Sequence, residues 1–249
     1  MPLEIPGELI ARLSGFGRVH LLDTVDSTNE YAFTLAMTAE PAIVVARCQT
    51  KGRGRFRRDW HSDDDSLTFS LLLFPEPGAG LTSRLTQFAG LSVCLALENL
   101  TGTKPLIRWP NDIMLSDRKL AGILCEQRKA AVAVGVGLNL NQQSFPAELP
   151  EAGSLRQLTG KTWPKFDVLE AVVAAFFDTL DKSRAGRDAE LLDAIRNRSS
   201  VLHHRVEVKS LLRTRVGTVI DLDAEGRIVL RTESGRLSVL DVGQVRRLR

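Results

Sequence analysis

Between Leu106 and Asn141 four apolar runs follow one another with little chain between them. They are Leu106-Ile107-Arg108-Trp109, Ile113-Met114-Leu115, Leu120 to Gln127 and Ala131 to Leu140, with a Ser116-Asp117-Arg118 turn after the second. Hairpin connections this short suit an antiparallel or mixed sheet, because a parallel crossover needs about a dozen residues or more. The rest of the chain must cover that sheet.

Residues 18 to 24 read as a strand, and Ser27-Thr28-Asn29-Glu30 has capping-box spacing, which predicts a helix to about Met37. Ala42 to Gln49 and Ser66 to Phe74 read as further strands, and Pro75-Glu76-Pro77-Gly78 breaks the chain. Leu85, Phe88, Ala89, Leu91, Leu95 and Ala96 keep helical spacing from Thr82 to about Leu100. Two more helices are expected, over Asp167 to Ser183 and Asp188 to Asn197. Beyond residue 202 short strands alternate with turns at Ala224-Glu225-Gly226 and Ser234-Gly235, the spacing of a small barrel. The expectation is an α+β fold, with one domain over 1–202 and a second over 203–249.

Net charge is +3, from 33 Lys+Arg against 30 Asp+Glu, which is poor evidence for a polyanionic partner. The surplus sits in the last 47 residues, with ten basic against six acidic, while the first 202 hold 23 against 24. Cys48, Cys94 and Cys125 are widely spaced and His20, His61, His203 and His204 form no ligand-spaced set, so structural zinc is not expected and a reduced cytoplasm fits. The N-terminal stretch lacks the basic and apolar regions of a signal peptide. Apolar runs such as Leu71-Leu72-Leu73-Phe74 fall far below the ~18 residues of a membrane span.

Three segments could carry chemistry. Lys51, Arg53, Arg55, Arg57 and Arg58 put five positive charges into eight residues, interleaved with Gly52 and Gly54. Glycines that accept positive φ, with guanidinium forks beside them, suit phosphate or carboxylate oxygens. The loop lacks the ending of a phosphate-binding Walker loop, and Arg57 stands where a dinucleotide fingerprint needs its third glycine. A solvated basic hairpin or an RNA-binding loop has the same composition. In Arg108-Trp109-Pro110-Asn111-Asp112 the proline ends a strand, and a turn then brings Lys119 back towards Asp112. An Asp there could hold Mg²⁺ on a polyphosphate and a Lys could neutralise a reacting oxygen, although Asn-Asp is also ordinary turn chemistry. In Gly135-Val136-Gly137-Leu138-Asn139 the strand glycines mark a close approach, by a ligand or by neighbouring backbone.

Together with Ser27-Thr28-Asn29, Arg118-Lys119-Leu120-Ala121-Gly122-Ile123-Leu124 and a Gly153-Ser154-Leu155 helix start, these segments stand in the order and spacing of biotin protein ligases, which the chain resembles over nearly its whole length. The resemblance implies a mixed-sheet catalytic domain related to lipoate-attaching enzymes and class II synthetases, plus a C-terminal SH3-like barrel. It implies activation of biotin with MgATP to biotinyl-5′-AMP, then transfer to a lysine of a biotin carboxyl carrier domain.

By the same resemblance Ser27, Thr28, Asn29 and Gln49 would engage the biotin head, with Gly52, Arg53, Gly54 and Arg55 around the biotin and acyl-phosphate region. Lys119 would bond the carboxyl oxygen in both steps, with Arg55 and Asp112 also catalytic. Gly122, Leu124, Gly135 and Leu138 would lie against the ring system. Arg58, Trp60, Arg108, Asn111, Asp112 and Asn139 would take the nucleotide, Asp112 also touching Mg²⁺. Lys51 and Arg57 depart from the family pattern and make the loop more basic. Arg246, Arg247 and Arg249 are candidates for a C-terminal nucleotide contact. Only 26 residues precede Ser27, which leaves no room for a DNA-binding domain, so the ligase-only form is expected, with no DNA or membrane partner and a homodimer left open. Lipoate ligation on the same fold, and a basic nucleic-acid-binding module, are the alternatives.

Overall fold

The computed structural model describes residues 5–76, 78, 80–210, 213–241 and 243–248; the side chain of Arg57 also lies outside what it describes. Met1 to Glu4, Pro77 and Arg249, which entered the reading of the N-terminus, the chain break and the C-terminal arginines, fall outside those residues.

Helix α1 (Gly7–Ser14), which the sequence reading did not foresee, leads into β1 (Arg18–Val25), α2 (Thr28–Thr34) and β2 (Ala42–Gln49). The expected capping box at Ser27 does not form: Ser27 has extended backbone but makes no side-chain cap bond, and Glu30 turns to two arginines instead. The helix correspondingly stops at Thr34, and Ala36–Thr38 form a separate 3₁₀ turn. β3 (Ser66–Leu73) precedes the long α3 (Leu81–Thr101), and β4 (Leu106–Arg108), β5 (Asp112–Leu115), β6 (Arg118–Arg128) and β7 (Ala131–Asn139) make the expected meander. The Trp109-Pro110 peptide is cis, and Ser116 and Asp117 both take positive φ in the tight β5–β6 turn. A true capping box starts α4 (Leu155–Thr159), where Ser154 and Gln157 bond each other's backbone N–H. α5 (Lys165–Arg184) and α6 (Asp188–Arg196) follow.

The first sheet runs β1-β2-β3-β7-β6-β5-β4, with β1 and β2 parallel and every other pair antiparallel. Alternation along the strands gives it two unlike faces. Ile43, Val45, Leu67, Phe69, Leu71, Val134, Val136 and Leu138 join the core with Leu91 and Val93 of α3 and Val172 and Phe176 of α5. Each such side chain contributes roughly 1.5–3 kcal/mol on burial. The opposite face carries Ala42, Val44, Ala131 and Ala133, packed under Ala32 of α2. That thin layer leaves depth for a cleft.

The second sheet holds β8 (Arg205–Lys209), β9 (Thr214–Leu222), β10 (Ile228–Thr232), β11 (Leu237–Leu240) and β12 (Gln244–Arg247), antiparallel throughout in the order β11-β10-β9-β8-β12. It is tied to the first sheet's β4 end by a hydrogen bond from Trp109 Nε1 to the Gly226 carbonyl (2.9 Å) and to α6 by a two-pronged ion pair of Arg196 with Asp221 (2.8 and 3.1 Å). These ties set β12 against the Asp112 end of the first sheet. No described helix is long and apolar enough to cross a membrane.

Candidate active site

A cleft of about 430 Å³ opens on the thin face of the first sheet. Its floor comes from β6 and β7, one wall from the first turn of α2, and its cover from the 52–60 loop and Gly243-Gln244-Val245.

At one end runs a chain of buried polar groups. Gln49 Oε1 accepts from the Thr28 backbone N–H (2.7 Å) and hydroxyl (3.0 Å), while Ser70 Oγ lies 2.7 Å from both Thr28 Oγ1 and Asn29 Oδ1. The Asn29 amide donates to the Leu124 carbonyl (3.1 Å) and to Glu126 Oε2 (2.8 Å). Such a connected chain fixes each donor and acceptor in one orientation, as a small polar ligand head requires. Sequence reading missed Ser70 and Glu126, which carry no motif and are found only through strand register.

The strand glycines answer to close approach, but by protein side chains. A Cβ on Gly135 would stand 2.5 Å from Asn29 Oδ1, and one on Gly137 would stand 2.3 Å from the Trp60 indole. Trp60 therefore lies over Gly137 and beside Gly122, and its buried Nε1 has no hydrogen-bond partner among the described residues. Leu138 does not line the cleft. It is one residue out of phase with Gly137 and points into the core, so its expected place against a ligand is corrected.

At the other end Lys119 Nζ sits 2.7 Å from Asp112 Oδ1, and Arg108 reaches Asp112 Oδ2 (3.0 Å) and Glu151 Oε2 (3.0 Å). Burial works against the Arg108 charge, yet the two carboxylates hold its pKa above the ordinary value. The Lys119 backbone is clamped as well: its N–H donates to the Glu151 carbonyl (2.6 Å) and its carbonyl accepts from Gly153 (3.1 Å). Asn139 does not line the cleft; its amide donates to that Lys119 carbonyl (3.2 Å), so it holds the lysine's strand. Asn111 lines the cleft but its amide is engaged with the Ile123 carbonyl (3.0 Å).

The basic loop is less uniform than its sequence suggests. Lys51 pairs with Asp26 (2.8 Å), Arg53 pairs with Glu30, and Arg58 donates to Gln244 Oε1 (2.6 Å). Among the described residues Arg55 has no carboxylate at ion-pair distance; burial lowers its guanidinium pKa, opposed by attraction to Asp112 and Asp241. Gly52 and Gly54 do not use positive φ as expected, and Phe56 takes it instead (φ 57°). Gly52 is needed for space, since a Cβ would meet the Trp60 carbonyl at 2.6 Å, and it too stays out of the cleft lining. Ser27, Thr28, Asn29, Gln49, Arg53, Gly54, Arg55, Arg58, Trp60, Arg108, Asp112, Lys119, Gly122, Leu124 and Gly135 do meet there. Sequence reading missed Thr68, the 148–152 strap and the β12 residues, which the fold brings in from distant segments.

Among the described residues no three His, Cys, Asp or Glu side chains are grouped to hold a metal. A lone carboxylate such as Asp112, not grouped with two other ligands, suits an ion that is coordinated chiefly by phosphate oxygens, as Mg²⁺ on a nucleotide is. Cys125, below the cleft, has its thiol pKa pushed up to about 12 by burial, which disfavours the nucleophilic thiolate.

Residues 21–142 match the biotin/lipoate A/B protein ligase family. The chain is 32% identical to a biotin-[acetyl-CoA-carboxylase] ligase of Paracoccus denitrificans, over 87% of this chain and 95% of that one. It is also 32% identical to the bifunctional ligase/repressor BirA of Bacillus spizizenii, over 87% of this chain and 70% of that one. The biotin protein ligase of Aquifex aeolicus, solved in complex with biotin and ATP, superposes with a TM-score of 0.82 at 31% identity, covering 93% of this chain and 99% of that one.

Proposed function

The chain belongs to the biotin/lipoate A/B protein ligase family, and on that premise we infer that it is an ATP-dependent biotin protein ligase. It activates biotin to biotinyl-5′-AMP and passes biotin to a lysine, whose source we take to be a biotin carboxyl carrier domain. The observation that carries the chemistry is the concentration of Arg55, Arg108 and Lys119 near the Asp112 carboxylate at the end of a polar-headed cleft.

In the first step an oxygen of the biotin carboxylate attacks the α-phosphorus, and the bond from that phosphorus to the oxygen bridging the β-phosphorus breaks, releasing pyrophosphate. Two anions must meet, so fixed cations in a water-poor cleft lower the barrier. Lys119, oriented by Asp112, faces the carboxylate oxygen. Arg55, half-buried without a carboxylate of its own, faces the α-phosphate. The Gln49-Thr28-Ser70-Asn29 chain supports a reading in which the ureido head is held by hydrogen bonds, with Gly122 and Leu124 against its apolar body. Arg58, Trp60, Arg108 and Asn111 would meet the nucleotide. Mg²⁺, bound mainly by phosphates with Asp112 as its protein carboxylate, would neutralise polyphosphate charge.

In the second step the neutral lysine amine attacks the acyl carbon, the bond from that carbon to the AMP oxygen breaks, and the amine gives up a proton. Lys119 stays beside the carbonyl oxygen as charge develops on it. Residues 203–249 serve as a separate unit that closes the nucleotide end through β12. The test is exchange of labelled pyrophosphate into ATP with biotin or lipoate, followed by transfer to a carrier domain. Exchange with lipoate and none with biotin would overturn the assignment.

A further inference from the structure

Glu30 follows the Ser27-Thr28-Asn29 turn directly, yet it does not line the cleft. Its carboxylate accepts two hydrogen bonds from Arg128 at the end of β6, at 2.9 Å (Nη1 to Oε2) and 2.5 Å (Nη2 to Oε1). Arg128 is itself stacked on Phe33, with its guanidinium carbon 4.3 Å from the ring centroid. Oε1 of the same carboxylate also receives Arg53 from the loop. The loop is otherwise secured near its ends, by Asp26 on Thr50 and Lys51 and by Gln244 on Arg58. Among the described side chains no other carboxylate grips it between those points.

We propose that Glu30, held in place by Arg128, is the docking post of the arginine loop: it receives Arg53 and so lays residues 52–58 over the cleft before any substrate is present. The post is inexpensive in entropy, because Arg128 is already fixed by its forked pair and by Phe33 when Arg53 arrives. Glu30 is thus a positioning residue. It acts on substrate through the loop, and it sets how much ordering is left for binding to supply.

The test uses Phe56, which is 38% exposed in the middle of the loop and is a chymotrypsin site that none of the substitutions alters. In the ligand-free protein, cleavage after Phe56 is expected to be about fivefold faster in Glu30→Gln and in Arg53→Gln, the range an exposed ion pair supports. The double variant should cleave no faster than either single one, since all three lack the same contact. Wild-type cleavage in Glu30→Gln, or multiplied effects in the double variant, would overturn the proposal. Should Glu30→Gln not fold, Arg53→Gln removes the contact from the exposed side, and an unchanged rate there overturns it equally. In biotin-dependent pyrophosphate exchange, which rests on the function proposed above, Glu30→Gln should raise the KM for biotin about fivefold with kcat within about twofold. A fall in kcat at constant KM would contradict a positioning role. Absence of exchange in the wild-type protein would overturn the function while leaving the cleavage assay to decide the docking post.

Discussion

Lys119 and Asp112 face each other at 2.7 Å across the β5–β6 hairpin, and Arg108 holds the other oxygen of the same carboxylate. The pair is one-third exposed or less on each side, with 31% of the lysine and 19% of the aspartate side chain reaching solvent. A lysine so placed is aimed by its partner and remains within reach of a ligand.

Lys119→Ala should lower the single-turnover rate of biotinyl-adenylate formation by about 10²–10³, the usual effect of deleting one preorganised charge donor. Asp112 keeps Arg108 as a partner, so the thermal midpoint should fall by no more than about 4 °C. A midpoint collapse by scanning calorimetry would reassign Lys119 to structure.

Arg55→Ala should cost about tenfold to hundredfold in kcat/KM for ATP, because a half-buried guanidinium with no ion pair among the described residues is available to phosphate. Arg55→Lys keeps the charge and loses the fork, so it should recover only part of that loss. Full recovery would show that charge alone matters at this position.

Gly135→Ala should raise the biotin KM by about tenfold or more, since the new methyl stands 2.5 Å from Asn29 Oδ1 and must displace the polar chain. Gly137→Ala should instead move Trp60, read as a change in tryptophan emission of the ligand-free protein. An unaltered spectrum would mean that the indole does not rest on β7.

The Arg128 hydrogen bond, with Arg53 adding to it, holds the Glu30 carboxyl below its ordinary pKa. A carboxyl lowered in the folded state adds stability above its unfolded value, about 4.3, and that contribution is lost as pH falls through the lower folded value. The denaturation midpoint of wild type should therefore exceed that of Glu30→Gln at pH 7, with the gap closing below about pH 4. A gap independent of pH would exclude the charge as its source.

Trp109→Phe removes the bond to the Gly226 carbonyl that joins the two sheets. It should destabilise the protein by about 1 kcal/mol, a shift of about 2–4 °C in the thermal midpoint. A larger drop in ATP affinity than in stability would tie this contact to closure of the nucleotide end.

The elements that were legible in the sequence are those whose cause is local. Hairpin proximity put Lys119 near Asp112, and helical spacing gave α3 and α5. The errors came where a distant partner decides the outcome. Glu30 had the spacing to cap α2, but Arg53 and Arg128 offer it charge, which a backbone N–H does not. Ser154 and Gln157 make the box because no arginine competes for an amide. Leu138 was misplaced although the signal was there: period-two alternation from Gly135 and Gly137 sends it to the other face. The five basic residues of the loop read as one cradle, and only the fold reveals that Asp26 and Glu30 already neutralise two of them.

Arg58 and Gln244 are 186 residues apart in the chain, yet their hydrogen bond helps to cover the cleft. One wall of the cleft is thus borrowed from a segment far along the chain from the loop it meets. The first sheet and the loop supply most of the lining, but the wall of Gly243, Gln244 and Val245 comes with the second sheet. On the function proposed above, a chain cut before β12 would keep the Gln49-Thr28-Ser70-Asn29 polar groups without an enclosed place for the triphosphate, so formation of the acyl adenylate should depend on the second sheet.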